Sequence, residues 1–245
     1  MWVKSDDVRE YAYYQFGMQR TGTTIIDVMC RLNFSVWKAN DHSDHLDPYS
    51  SPMDRPDHFI WKHALDVPVH LPEDAPIILN YKNPYTLMES FAFRRGVGNG
   101  NWQNTHGKDE RFDKHNGMPR FWIDQPGHGR TYIIQVAKAY KHWFETWLDF
   151  YEKNKDRTVL IKWEDILEED KRKTVFDEIK DKFGWQDPIH DPYKWPPHVG
   201  SSQPIASRVD YYIEGKPTRL ERHHIDKINE VIGTDLISRV GYDII

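Results

Sequence analysis

Short apolar runs alternate with longer segments of helical period along this chain, and this alternation is the feature that most constrains its fold. The apolar runs predict strands over residues 11–16, 34–38, 77–81 and 158–163. The segments of helical period predict helices over residues 23–32, 85–95, 130–154, 171–183 and 220–232. Strands that alternate with helices form a mostly parallel sheet covered on both faces. We therefore predict an α/β protein with three layers, a mostly parallel central sheet flanked by helices.

The chain length indicates one domain. A chain of 245 residues is long enough for one α/β domain with a proper core and short for two. Residues 96–129 are polar and rich in Gly, Asn and His, and connecting segments of that length are typically functional lids or disordered. We predict a single domain over residues 1–245 with a lid or insertion at 96–129.

Composition excludes several classes of partner. The formal net charge of −5 gives no general electrostatic reason to bind nucleic acid or an anionic membrane. No apolar run reaches the length of about 18 residues that a membrane helix needs, and residues 1–10 lack the apolar core of a signal peptide. The single cysteine, Cys30, excludes an intrachain disulfide framework and suits a reducing compartment. We expect a cytoplasmic protein.

A glycine-bounded loop joins the first predicted strand to the first predicted helix. Gly17 to Thr24 has the spacing G-x-x-x-x-G-x-[ST], in which backbone N–H groups and a helix N-terminus bind an anion. A nucleoside-triphosphate loop has Lys after the second Gly, but this chain has Thr23 there. The cation is instead Arg20, whose guanidinium can clasp a phosphate with two parallel hydrogen bonds. The loop therefore suits one 5′-phosphate better than a triphosphate chain.

A second candidate anion site follows the strand predicted at 77–81. Lys82 stands at the strand end, Asn83 and Pro84 begin a helix, and Ser90 lies two turns into that helix. The pair offers a point charge and a hydroxyl to a second, separate phosphate. A 3′,5′-bisphosphorylated adenosine is the ligand that needs both sites.

These segments resemble those of the PAPS-dependent sulfotransferases, where PAPS is 3′-phosphoadenosine-5′-phosphosulfate. The resemblance implies a P-loop-like fold, PAPS as sulfuryl donor and PAP, the 3′,5′-bisphosphate, as product. It implies a 3′-phosphate contact for Lys82 and Ser90, with Lys where the family has Arg. Weaker likeness extends to residues 159–165, and the family's C-terminal Arg-Lys-Gly run has no counterpart here, although Arg208, Lys216 and Arg219 are candidate substitutes. The implied 5′-phosphosulfate contacts are Gln19, Arg20, Thr21, Gly22, Thr23 and Thr24.

Sulfuryl transfer needs a base for the attacking group and a donor that neutralises charge on the leaving phosphate. We predict His63 as the base and Lys62 as a residue that helps to hold the sulfuryl group. The resemblance supports this choice, because cytosolic members have a Lys-Thr-His segment at this place. Residues 41–47 carry His and Asp at metal-ligand spacing, but sulfuryl transfer requires no metal, and we predict none.

Two other functions share the loop geometry. A P-loop kinase for a small metabolite would need a replacement for the missing Lys, together with Mg²⁺ ligands. A binding module would keep the nucleotide loop without catalysis. The sequence does not name the acceptor, which we expect to be the hydroxyl or amine of a small molecule or glycan, and it does not determine the oligomeric state.

Overall fold

The computed structural model describes residues 11–18, 21–34, 36–40, 63–69, 71–92, 129–186 and 209–245. Within these ranges the strands are β1 (Tyr11–Phe16), β2 (Val36–Lys38), β3 (Ile77–Tyr81) and β4 (Thr158–Lys162). The helices are α1 (Thr23–Asn33), α2 (Pro84–Ala92), α3 (Gly129–Lys153), α4 (Trp163–Leu167), α5 (Glu169–Phe183), α6 (Val209–Glu214), α7 (Arg222–Ile232) and α8 (Thr234–Arg239).

The four strands form one parallel sheet in the order β2-β1-β3-β4. Tyr14 pairs with Ile77 across β1 and β3, and Ile77 pairs with Thr158 across β3 and β4. The strand β2 is shorter than predicted. Beyond it, the Asn40 side chain replaces backbone pairing by bonding both the N–H and the C=O of Gln15. The prediction of a parallel α/β sheet is confirmed.

Side chains on the two faces of the sheet enter two separate cores, as the alternation of a pleated strand requires. On β3, Ile77 and Leu79 join the core beneath α2, α3 and α7, whereas Ile78 joins the core beneath α1 and α5. Each face of the sheet is thus covered by helices, and the three predicted layers are confirmed.

Helix ends follow local chemistry. Pro84 begins α2, where a missing N–H costs nothing and the fixed φ favours the helix. Gly184 ends α5 in the left-handed conformation that a helix C-terminus favours. The short helices α4, α6 and α8 were not predicted, because five or six residues are too few to display a helical period. Residue 163 was assigned to a strand, but Trp163 begins α4.

No helix among the described residues has the length and apolar character needed to cross a membrane. The predicted lid at 96–129, except for Gly129 at the start of α3, lies outside those residues, as does the His- and Asp-rich stretch 41–47.

Candidate functional site

The candidate site lies where the chain changes direction in the sheet. From β1 the chain passes to β2 on one side, and it then returns to β3 on the other side of β1. In open parallel sheets, ligands bind outside the carboxyl ends of the strands at such a switch point. The loop after β1 and the segment after β3 therefore meet at the place where this fold class holds its ligands.

The side chain of Asn80 on β3 organises the loop after β1. Its amide Nδ2 donates to the Thr21 carbonyl at 3.0 Å and to the Thr21 hydroxyl at 2.7 Å, and its Oδ1 accepts from Gln15 Nε2. The Thr21 hydroxyl in turn donates to the Met18 carbonyl at 2.6 Å. A Cβ at Gly17 would come within 2.6 Å of Asn80, so only glycine permits this approach. The Thr21 side chain is therefore used to shape the loop.

The N-terminus of α1 has the character of an anion site. Gly22, with φ +88°, precedes the helix and provides no side-chain cap, and the first turn contains no acidic residue. The first N–H groups of a helix have no intrahelical partner, and the helix dipole favours negative charge there. Thr23 is buried at the first helical position, and Thr24 is exposed. A phosphate at this helix N-terminus would accept hydrogen bonds from these backbone N–H groups.

The N-terminus of α2 differs, because Asn83 caps it. The Asn83 Oδ1 accepts from the N–H groups of Tyr85 and Thr86 at 2.9 and 3.2 Å. An anion beside α2 would therefore depend on side chains. Lys82 is only 2% exposed at the end of β3. Ser90 donates its hydroxyl hydrogen to the Leu87 carbonyl, and that hydrogen would have to turn to reach a phosphate.

His63 contacts the first residue of the loop. Its Nδ1 lies 2.6 Å from the Gly17 carbonyl oxygen. A carbonyl oxygen only accepts, so Nδ1 carries the hydrogen and Nε2 carries the lone pair of the neutral ring. In enzymes with a Ser-His-Asp triad, a fixed hydrogen-bond partner on one ring nitrogen sets the tautomer and orientation of the imidazole in the same way.

The Glu164 side chain on α4 accepts a hydrogen bond from the segment after β3. Its carboxylate accepts from the Asn83 N–H at 3.0 Å and from the Tyr242 hydroxyl at 2.7 Å. Burial raises the pKa of Glu164, while Tyr242, the Asn83 N–H and the charge of Lys82 oppose that rise. The folded chain places this carboxylate close enough to the candidate cation, Lys82, for the two charges to interact.

The structure brings together some of the predicted site residues. Thr21, Gly22 and Thr23 follow β1, and Lys82 follows the adjacent parallel strand β3, so they lie at the same end of the sheet. His63 contacts the same loop through Gly17. Gln19, Arg20, Lys62 and Arg208 lie outside the described residues. Of the candidate C-terminal cations, Lys216 is exposed, and Arg219 pairs with Glu89 at 3.1 Å.

Sequence reasoning missed Asn80 and Glu164. A polar residue inside the apolar run 77–81 was the available signal for Asn80. Glu164 gave no such signal, because an acidic first turn is also common on exposed helices.

One group within the described ranges has metal-ligand atoms close together. Glu221, His223 and His224 offer ligand atoms within 4.8 Å of one another. The Nδ1 of His224, however, accepts the backbone N–H of Glu221 and so forms part of the capping box of α7. This group is explained by helix capping.

Comparisons with protein-family models, curated proteins and solved structures find no match for this chain. The resemblance of residues 19–24 and 82–90 to the PAPS-dependent sulfotransferases stays a prediction.

Proposed function

We propose that this protein is a sulfotransferase that moves a sulfuryl group from PAPS to a hydroxyl or amine of a small molecule or glycan and releases PAP. One observation carries the proposal. The uncapped N-terminus of α1, the cation Lys82 and the ring of His63 meet at the carboxyl ends of the adjacent strands β1 and β3. A donor with separate 5′- and 3′-phosphates and a reaction that needs a base would use all three.

The proposed reaction is an in-line transfer. The acceptor oxygen or nitrogen forms a bond to sulfur as the bond from sulfur to the bridging phosphate oxygen breaks. His63 Nε2 takes the proton of the acceptor, since Nδ1 is held by Gly17. The first-turn N–H groups of α1 stabilise the charge that develops on the leaving 5′-phosphate. Thr23 stands where a kinase needs its phosphate-binding Lys, which favours sulfuryl transfer over phosphoryl transfer.

A cytoplasmic location is part of the proposal. The single cysteine, Cys30, is buried and unpaired, as in proteins of reducing compartments.

Ligand-induced stabilisation tests the binding half of the proposal. We expect PAP to raise the thermal midpoint and ATP with Mg²⁺ to leave it unchanged; a ligand at a hundred times its dissociation constant adds about 2.7 kcal/mol. The Lys82→Ala variant should lose much of the effect. Lys162→Ala is the matched control, because Lys162 also ends a strand and also lies over a tyrosine ring. Stabilisation by ATP–Mg²⁺ alone would contradict this proposal and favour a P-loop kinase for a small metabolite.

Turnover tests the catalytic half. Release of PAP from PAPS is measured with a panel of alcohols, phenols, sugars and amines as acceptors. The His63→Ala variant should lose about 10²- to 10⁴-fold in rate while PAP still stabilises it. His142→Ala is the control, since His142 is an exposed imidazole paired with Asp66 on the surface. Full turnover by His63→Ala would remove His63 as the base, and binding of PAP without turnover of any acceptor would favour the non-catalytic module.

A further inference from the structure

The segment that contains α6 is fixed against α2, next to the candidate second phosphate site. Glu89, whose side chain is 2% exposed, accepts four hydrogen bonds from this segment. The donors are the N–H and hydroxyl of Thr218 at 2.7 and 3.1 Å, and the N–H and Nε of Arg219 at 3.2 and 3.1 Å. A Cβ at Gly215 would come within 2.8 Å of Asn83 Nδ2, so the two segments touch directly. The position of α6 relative to Lys82 is therefore closely determined.

On α6, the ring of Tyr212 lies against Lys82. The Nζ of Lys82 is 4.0 Å from the centre of the Tyr212 ring. Trp163 and Tyr212 form a T-shaped contact, with 6.4 Å between the ring centres and 82° between the ring planes. An ammonium over an aromatic face is attracted by the ring quadrupole, most strongly where water is excluded. Because Lys82 is buried, this contact holds the ammonium.

The backbone of Lys82 is held independently. The Tyr140 hydroxyl donates to the Lys82 carbonyl at 2.9 Å, and Glu164 accepts the N–H of the next residue, Asn83, at 3.0 Å. Both contacts anchor the single peptide group that joins Lys82 to Asn83. The ring of Tyr212 contacts the Lys82 side chain itself.

Restricting the side chain has a larger effect on phosphate recognition for a lysine than for an arginine. An arginine presents a rigid planar fork, whereas a lysine is a point charge on a flexible four-carbon stem. A point charge distinguishes a ligand with a 3′-phosphate from one without it only if the charge stays where that phosphate binds.

We propose that Tyr212 is a specificity-determining positioning residue, which holds the Lys82 ammonium where it takes the 3′-phosphate of PAPS and PAP. The inference rests on the proposed function. Tyr212 acts through Lys82 and touches neither the sulfuryl group nor the base.

Calorimetric titration of the full chain with 3′,5′-adenosine bisphosphate and with 5′-AMP tests this role. The readout is the ratio of the two dissociation constants, because general damage to the site weakens both ligands alike. The wild type should prefer the bisphosphate by roughly 10- to 100-fold, as a charge-assisted contact implies. Tyr212→Leu should lower that preference by about 5- to 30-fold, the value of a desolvated cation–π contact.

Two variants serve as controls. Tyr212→Phe keeps the ring face and should keep the preference within about twofold of the wild type. Lys162→Ala removes a similar contact, 4.2 Å from Lys162 Nζ to the centre of the Tyr242 ring, and should leave the preference unchanged. The Lys82→Ala variant, which removes the ammonium itself, should lose the preference for the bisphosphate over 5′-AMP.

The outcomes separate the two proposals. A wild type without preference for the bisphosphate overturns the proposed function. A wild type with that preference, retained in Tyr212→Leu, overturns the role of Tyr212 and leaves the proposed function standing. If Tyr212→Leu does not fold, the preference for the bisphosphate is compared between Tyr212→Phe and Tyr212→trifluorophenylalanine. The two side chains have nearly the same shape and differ in the quadrupole of the ring. The preference must fall with fluorination, and an unchanged preference overturns the inference.

Discussion

Replacement of Gly22 by alanine tests how the loop after β1 is packed. Gly22 has φ +88°, a conformation that costs an L-residue about 1–2 kcal/mol. A Cβ built there would lie 2.1 Å from Cε3 and 2.3 Å from Cζ3 of Trp163. Trp163 is buried and packed within one of the two cores, so it cannot easily move away. Overpacking of this kind costs about 1–3 kcal/mol, and we expect Gly22→Ala to lose about 2–5 kcal/mol in total.

A second glycine separates the two contributions. Gly184 also has a positive φ, +65°, but among the described residues, apart from its chain neighbours and its own helix backbone, no atom lies within 4 Å of the Cβ that alanine would add there. Gly184→Ala should therefore lose only the conformational part, about 1–2 kcal/mol. The difference between the two variants measures the contact with Trp163.

Urea denaturation of the wild type, both alanine variants, Trp163→Leu and the double variant Gly22→Ala/Trp163→Leu completes the cycle. Trimming the ring should relieve the overlap and leave a favourable coupling of about 1–3 kcal/mol between residues 22 and 163. If Gly22→Ala costs no more than Gly184→Ala, or if the coupling is zero, then Trp163 does not lie against Gly22.

Three further predictions concern buried polar groups. Asn80→Ala should destabilise the fold by about 2–4 kcal/mol in urea denaturation, because it leaves the Thr21 carbonyl and Gln15 Nε2 without a bond; a loss under about 0.5 kcal/mol would contradict the network. Burial raises the pKa of Glu164 above the ordinary 4.5, so the native state keeps a proton that the unfolded chain has released. The stability of the wild type relative to Glu164→Gln should therefore decline as the pH rises from 4.5 through the raised pKa, and urea midpoints from pH 4 to 8 that show a flat or rising difference would contradict the sign. Burial also raises the pKa of the Cys30 thiol, so an aromatic disulfide reagent at pH 8 should modify Cys30 only at the rate of unfolding, and rapid reaction of the native protein would show that the thiol is accessible.

The connection between β1 and α1 and the main secondary structure could be predicted because they depend on nearby residues. The alternation of apolar runs and helical periods placed β1, β3 and α1 within a residue of their observed bounds. Six-residue helices such as α6 could not be predicted in this way, since a helical stripe needs more than one and a half turns to be visible.

The local sequence determined the alternating fold and the glycine spacing of the loop between β1 and α1, because turns and periodicities involve only neighbouring residues. Only the tertiary structure decided that Asn80 supports Thr21, 59 residues away, and that Glu164 holds Asn83, 81 residues away. It also decided that Tyr212 lies over Lys82. These partners meet because β1, β3 and β4 are neighbours in the sheet and end at one edge. Strand order follows from which faces pack together over the whole chain, and a local pattern of residue types does not encode it.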